Sequence, residues 1–170
     1  GDCLPLLLSL NAQVVLQDLK KNKILFLDNF FISYRKTKLK KGQFIRSIRI
    51  PLFKGNIFKS YKVSKRFDDD ISSVCAAFNL EIIKNKVQST RIFFGGMAEI
   101  PKRAVYCEKI LSNSPFTEET VNKAKKALEK DFTPISDMRA SRLYRLEIAK
   151  NLLEKCCAEI KQKKLISVYF

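Results

Sequence analysis

Residues Phe58 to Val74 read F-K-S-Y-K-V-S-K-R-F-D-D-D-I-S-S-V, and this stretch decides the fold of the chain. Ile57, Tyr61 and Val63 share one face of a strand at period 2. Val74, Ala76, Phe78, Leu80 and Ile82 alternate on a second strand. Between the two lie Lys65, Arg66 and three consecutive aspartates, Asp68, Asp69 and Asp70. The connection has no glycine and too much charge to be core. As plain surface it is a solvated loop. As a charge cluster held between two well-patterned strands it is a candidate binding loop.

Downstream, Asn85 marks a turn and Val87 to Phe94 form a third strand, which runs into Gly95-Gly96-Met97-Ala98. A strand ending in two glycines bends sharply or lets another group approach its backbone. Neither a Walker-type phosphate loop nor G-x-G-x-x-G is present. Pro101 opens a helix over residues 104–111, and Thr117 caps the next, whose apolar stripe is Val121, Ala124 and Leu128. Residues 131–136 break that helix. Asp137 begins the last one, with Leu143, Leu146, Ala149, Leu153, Cys156 and Ile160 at helical spacing. Strands followed by helices predict an α+β class: a three-stranded antiparallel sheet packed with three helices.

Upstream, Asp2 is placed to cap a short apolar helix with Pro5 in its first turn. Residues 12–17 and 23–27 read as a hairpin, and residues 28–37 as a loop in which Phe30 and Phe31 plug the core. Phe44, Ile48 and Ile50 share one face of a further strand, leaving Ile45 as the one apolar residue on the other. Residues 51–56 carry Pro, Gly and Asn and mark a boundary. The expected units are therefore 1–53, 54–162 and a basic-then-apolar tail, 163–170.

Composition narrows the function. Hydrophobic residues make up 46% of the 170, so the chain folds around a core. Histidine is absent, which removes His-dependent triads and His-based metal sites. Five cysteines at no metal-ligand spacing fit a reducing, cytoplasmic setting. No apolar run is long enough to span a membrane. A net charge of +16 permits a non-enzymatic α+β module for nucleic acid or an acidic protein. The basic residues are dispersed, however, and the abundance of Lys, Asn and Ile fits a coding bias toward A and T.

Five segments together resemble the flavin domain of xanthine dehydrogenases, in the order found there. They are G-D-x-L-P-L-L-L at the start, F-F-x-x-Y-R-K-T from Phe30, Y-K-V-S-K-R-F-D-D-D-I-S from Tyr61, F-G-G-M-A from Phe94 and D-F-T-P-I-S-D-M-R-A-S-x-x-Y-R from Asp131. The last two look most like the small subunit of bacterial xanthine dehydrogenases, within the molybdenum hydroxylase flavoproteins. The resemblance implies the end of a PCMH-type FAD-binding subdomain followed by a CO dehydrogenase flavoprotein C-terminal-like domain.

It further implies a partial FAD site, in an enzyme that oxidises hypoxanthine or xanthine at molybdenum. Electrons pass through two [2Fe–2S] clusters to FAD, and hydride passes to NAD. Asp2 matches an aspartate that contacts FAD, Ile45 an aliphatic residue on the isoalloxazine, and Lys62 a lysine beside the flavin. More loosely, Asp68, Asp69 and Asp70 match an acidic loop on the NAD side. No catalytic residue and no metal ligand is assigned in this chain. The implied partner is a molybdenum-cofactor-binding large subunit. The iron–sulfur segment, the molybdopterin site and the Gly-rich FAD pyrophosphate segment are expected outside this sequence. The chain alone is then expected to bind FAD weakly or not at all, as part of a split subunit or a decayed remnant. Cys3, Val63 and Phe67 depart from residues expected of relatives.

Overall fold

The computed structural model describes residues 2–66 and 70–162. The apolar run after Asp2 forms helix α1 (Cys3–Ser9). Strands β1 (Gln13–Gln17) and β2 (Asn22–Phe26) form the expected hairpin. Asp18 closes it, accepting from the backbone N–H groups of Lys20 and Lys21 at 2.9 and 3.0 Å. Residues 28–37 are more ordered than a loop. A 3-10 turn (Leu27–Asn29) leads into a small hairpin of β3 (Phe31–Ser33) and β4 (Lys36–Thr37), with Arg35 at its tip in a left-handed conformation, φ 57°. Phe30 is buried, while Phe31 is half-buried and packs edge-on against it.

Strand β5 (Phe44–Arg49) completes a sheet of order β2–β1–β5, and here the sequence reading fails. A bulge puts Ile45, not Arg46, opposite Leu16, while Ile48 stays opposite Val14. Directly paired residues share a face, and an extra residue shifts the alternation by one. Ile45 and Ile48 therefore lie on one face and Phe44 on the other, so Ile45 is not alone. Every residue of β5 is exposed, as are Ile24 and Phe26 of β2.

The second sheet has order β6–β7–β8–β9, all antiparallel. Its strands are β6 (Ile57–Val63), β7 (Val74–Ile83), β8 (Lys86–Gly95) and β9 (Lys102–Arg103). Lys84 and Asn85 turn the β7–β8 hairpin with positive φ at both positions, 47° and 59°. Four strands form rather than the three expected. After Pro101 the chain first pairs Lys102 and Arg103 with Phe94 and Phe93, and only then enters α2 (Val105–Leu111).

One face of this sheet packs on α2, α3 (Glu118–Asp131) and α4 (Arg142–Gln162). Phe78, Phe94 and Phe132 meet edge-to-face there, with ring centroids 5.8 and 5.2 Å apart. Thr117 caps α3, accepting from the Thr120 N–H. Helix α4 starts later than the spacing predicts, because Asp137 is spent on a turn and accepts from the N–H groups of Arg139 and Ala140. Leu143 is exposed as a result, whereas Ala149, Leu153 and Cys156 are buried. Among the described residues no helix is long and apolar enough to cross a membrane.

The opposite face of the same sheet is covered by α1. Phe93 of β8 joins Leu8, Val14 and Leu16 in one buried cluster, and the Asn79 side-chain amide donates to the Ser9 carbonyl at 3.1 Å. Strand β7 is thus buried on both faces, which explains its run of Val-Cys-Ala-Ala-Phe with no polar alternation. The architecture is α+β, with two antiparallel sheets sharing α1.

Candidate functional site

Asp2 does not cap α1. Its backbone is already helical and its side chain makes no capping bond. The carboxylate turns to the sheet instead: Oδ2 lies 3.1 Å from Lys62 Nζ, and Oδ1 accepts from the Ser72 hydroxyl. Lys62 can reach it because β6 alternates. Ile57, Lys59, Tyr61 and Val63 are half-buried, and Phe58, Ser60 and Lys62 are exposed. Lys62 pairs with Cys75 of β7, so both face α1. The Cys75 thiol sits 3.4 Å from the Asp2 carbonyl oxygen.

These residues border an open cavity of about 380 Å³, lined by Asp2, Cys3 and Leu6 of the first segment, Ser60, Tyr61 and Lys62 of β6, and Cys75. Partial burial works to raise the Asp2 pKa. The Ser72 hydrogen bond and the Lys62 ammonium outweigh it and hold the carboxyl below its ordinary 3.8. Burial first, and the Asp2 charge second, push the Cys75 thiol up to about 11. Cys75 is therefore a neutral wall of the cavity at neutral pH and not a nucleophile.

The structure joins only part of the expected set. Asp2 and Lys62 form an ion pair. Ile45 stands on the other sheet, half-exposed, and does not line this cavity. Its expected isolation on a strand face is removed by the β5 bulge. Asp70 closes the β6–β7 connection, accepting from Arg66 N at 3.2 Å and Ile71 N at 2.8 Å. Asp68 and Asp69 lie outside the described residues. Ser72 and Cys75 were not singled out from the sequence, although Ser72 lies in the quoted central segment and strand pairing places Cys75 opposite Lys62.

The two glycines behave as expected. A Cβ on Gly95 would sit 3.2 Å from Pro5 of α1. Gly96 has φ 80°, and a Cβ there would fall 2.2 Å from the Ser73 carbonyl oxygen.

The polar groups of the cavity are the Lys62 ammonium, the Ser60 hydroxyl and the Asp2 carboxylate, which accepts from Ser72, beside the apolar Leu6. A mostly apolar cleft with a few fixed polar groups fits a planar ring with a polar edge, as a flavin is. Among the described residues no group of three or more His, Cys, Asp or Glu side chains could hold a metal ion.

Comparisons with known proteins bear on the family and fold of the chain. The CO dehydrogenase flavoprotein C-terminal domain matches residues 59–160, and the FAD binding domain in molybdopterin dehydrogenase matches residues 1–53. A xanthine dehydrogenase of Emericella nidulans is 37% identical over 136 residues, covering 78% of this chain and 10% of that protein. The glyceraldehyde dehydrogenase medium chain of Sulfolobus acidocaldarius is 27% identical over 155 residues, covering 91% of this chain and 54% of its own length. A solved carbon monoxide dehydrogenase from Hydrogenophaga pseudoflava superposes with a TM-score of 0.83 at 24% identity, over 89% of this chain and 53% of that one, which fixes the fold. The chain thus spans about half the length of the glyceraldehyde dehydrogenase medium chain and a tenth of the xanthine dehydrogenase. The C-terminal-domain match alone takes in more than half of the chain, so it belongs to the FAD-binding flavoprotein family of the molybdenum hydroxylases.

Proposed function

We propose that this chain forms one wall of the FAD site in a xanthine dehydrogenase-type flavin subunit. The Asp2–Lys62 pair at the mouth of the α1–β6 cavity carries this reading. Lys62 keeps 43% of its side chain exposed while Asp2 fixes its ammonium. A cation held in this way needs no reorganisation to stabilise negative charge developing on a ring edge beside it. FAD, when bound, would supply the relay that joins two electrons from [2Fe–2S] clusters with a proton and passes them to NAD as hydride, during hypoxanthine or xanthine oxidation. Leu6 and the neutral Cys75 thiol give the ring an apolar backing, and Ser60 offers a hydroxyl to its polar edge.

In this reading Ile45 supplies an aliphatic contact and the Asp68–Asp70 loop lies on the NAD side. Residues 1–53 are the end of the FAD-binding subdomain and 54–162 the C-terminal-like domain. The exposed apolar residues Ile24 and Phe26 of β2 and Phe44 of β5, which share one face of the sheet, form a surface for the rest of the FAD unit. A molybdenum-cofactor-binding large subunit is the partner that would deliver electrons.

The test is stopped-flow flavin reduction by substrate in the enzyme that contains this chain, with Lys62→Ala. Loss of a preorganised charge contact should slow flavin reduction by about tenfold or more. An unchanged rate removes Lys62 from the flavin's surroundings.

A further inference from the structure

The fourth and fifth segments that carry the family resemblance meet at one buried arginine, beside Ser73, the residue that follows the third. Arg145, the last residue of the fifth segment, is 3% exposed. Its Nη1 donates to the main-chain oxygens of Ser73 and of Gly96, the latter at 2.8 Å. Its Nη2 donates to Asp137 Oδ1 at 2.6 Å. Asp137 is in turn fixed by the N–H groups of Arg139 and Ala140. Gly96 cannot carry a side chain here, since a Cβ would meet the Ser73 oxygen at 2.2 Å and Arg145 Nη1 at 3.1 Å. A desolvated guanidinium is costly unless its donors are used. Here two carbonyls and a carboxylate take up Nη1 and Nη2, while Nε is buried without a partner, and a lysine could not bridge the same three acceptors in one plane.

The held corner is the start of β7. Ser73 is tied a second time, its N–H donating to the Val63 carbonyl at 2.7 Å. The preceding residue, Ser72, points its hydroxyl at Asp2. We propose that Arg145 is a positioning residue for the Asp2–Lys62 pair: by clamping Ser73 against Gly96 it holds the Ser72 hydroxyl where it fixes the Asp2 carboxylate. The clamp touches no ligand itself. Its functional meaning rests on the flavin reading of that pair, but its geometry does not.

The test is a carbon-13 NMR titration of the Asp2 carboxyl in the full chain, with thermal melts alongside. The titratable groups facing Asp2 are Lys62 of β6, Cys75 of β7 and its neighbour Cys3. Ser72→Ala removes the hydroxyl directly, and the Asp2 midpoint should move up toward the ordinary value. Arg145→Gln should move it in the same direction, although residue 145 makes no contact with Asp2. If Arg145→Gln does not fold, Asp137→Asn, which frees one side of the guanidinium, reads the same effect. A midpoint that rises with Ser72→Ala but stays at the wild-type value in the clamp variants overturns the proposal, even if their melting temperatures fall. So does a midpoint unmoved in all of them. FAD titration of the same variants separates the two claims. The clamp variants should weaken FAD binding by about tenfold, the loss of one charge-assisted hydrogen bond. A shifted Asp2 midpoint with unchanged FAD affinity supports the clamp and counts against the flavin reading.

Discussion

Lys62 Nζ stands 3.1 Å from Asp2 Oδ2, although 60 positions separate the two residues in sequence. Strand β6 offers Lys62 to one face of its sheet, and α1 lies across that face with Asp2 at its N-terminal end. Asp2 has a folded pKa below its unfolded value near 3.8. The pair's contribution is therefore complete above the unfolded value and is lost as the pH falls through the folded one. Both side chains are well exposed, so Asp2→Asn should cost roughly 0–1 kcal/mol at neutral pH. Urea unfolding across a pH series checks this. The wild-type and variant curves should merge in acid and separate as the pH rises through the carboxylate range.

Gly96 and Gly55 both have positive φ, 80° and 84°, but only Gly96 is crowded. Gly55→Ala meets open space and should cost about 1–2 kcal/mol for the left-handed backbone alone. Gly96→Ala adds a collision with the Ser73 carbonyl and should cost clearly more, or prevent folding. Denaturant midpoints of the two variants measure the difference. Equal losses would contradict the crowding.

Tyr61 sends its hydroxyl to the other side of the sheet from Lys62, donating to the buried Glu159 carboxylate at 2.9 Å, and Lys59 approaches the same carboxylate at 3.1 Å. Tyr61→Phe should destabilise the chain by about 1–2 kcal/mol, the range for a hydrogen bond to a charged acceptor. Denaturant midpoints of the two proteins measure the loss.

Of the five cysteines only Cys3 is exposed. Burial pushes Cys157 up to about 12, and Cys75 is raised to about 11. A thiol reagent should therefore label one cysteine quickly in the native chain and all five in urea. Fast labelling of Cys75 would contradict the packing of α1 on the sheet.

Much of the second unit was legible because its signals are local. The apolar runs of β7 and β8, the Asn85 turn and the Thr117 cap each depend on neighbours a few residues away. What failed depends on pairing. The bulge at Arg46 inverts the faces of Phe44 and Ile45, and no periodicity in the strand itself announces it. Helix α4 begins late because Asp137 hydrogen-bonds a turn that Arg145 completes. Asp2 looks like a helix cap by position, and only the docking of α1 on β7 and β8 gives its carboxylate better partners. Lys62 and Asp2 were reached through the family resemblance. Ser72, which links them to the Arg145 clamp, stood in the quoted segment without a distinguishing local signal.

The most direct test of the account is a flavin-fluorescence titration of the chain with FAD, run beside Lys62→Met, which keeps the length of the side chain and removes its charge. The account predicts saturable quenching by the wild type and binding weaker by about tenfold in the variant. Equal binding by both proteins would contradict the claim that the Asp2–Lys62 wall faces a flavin.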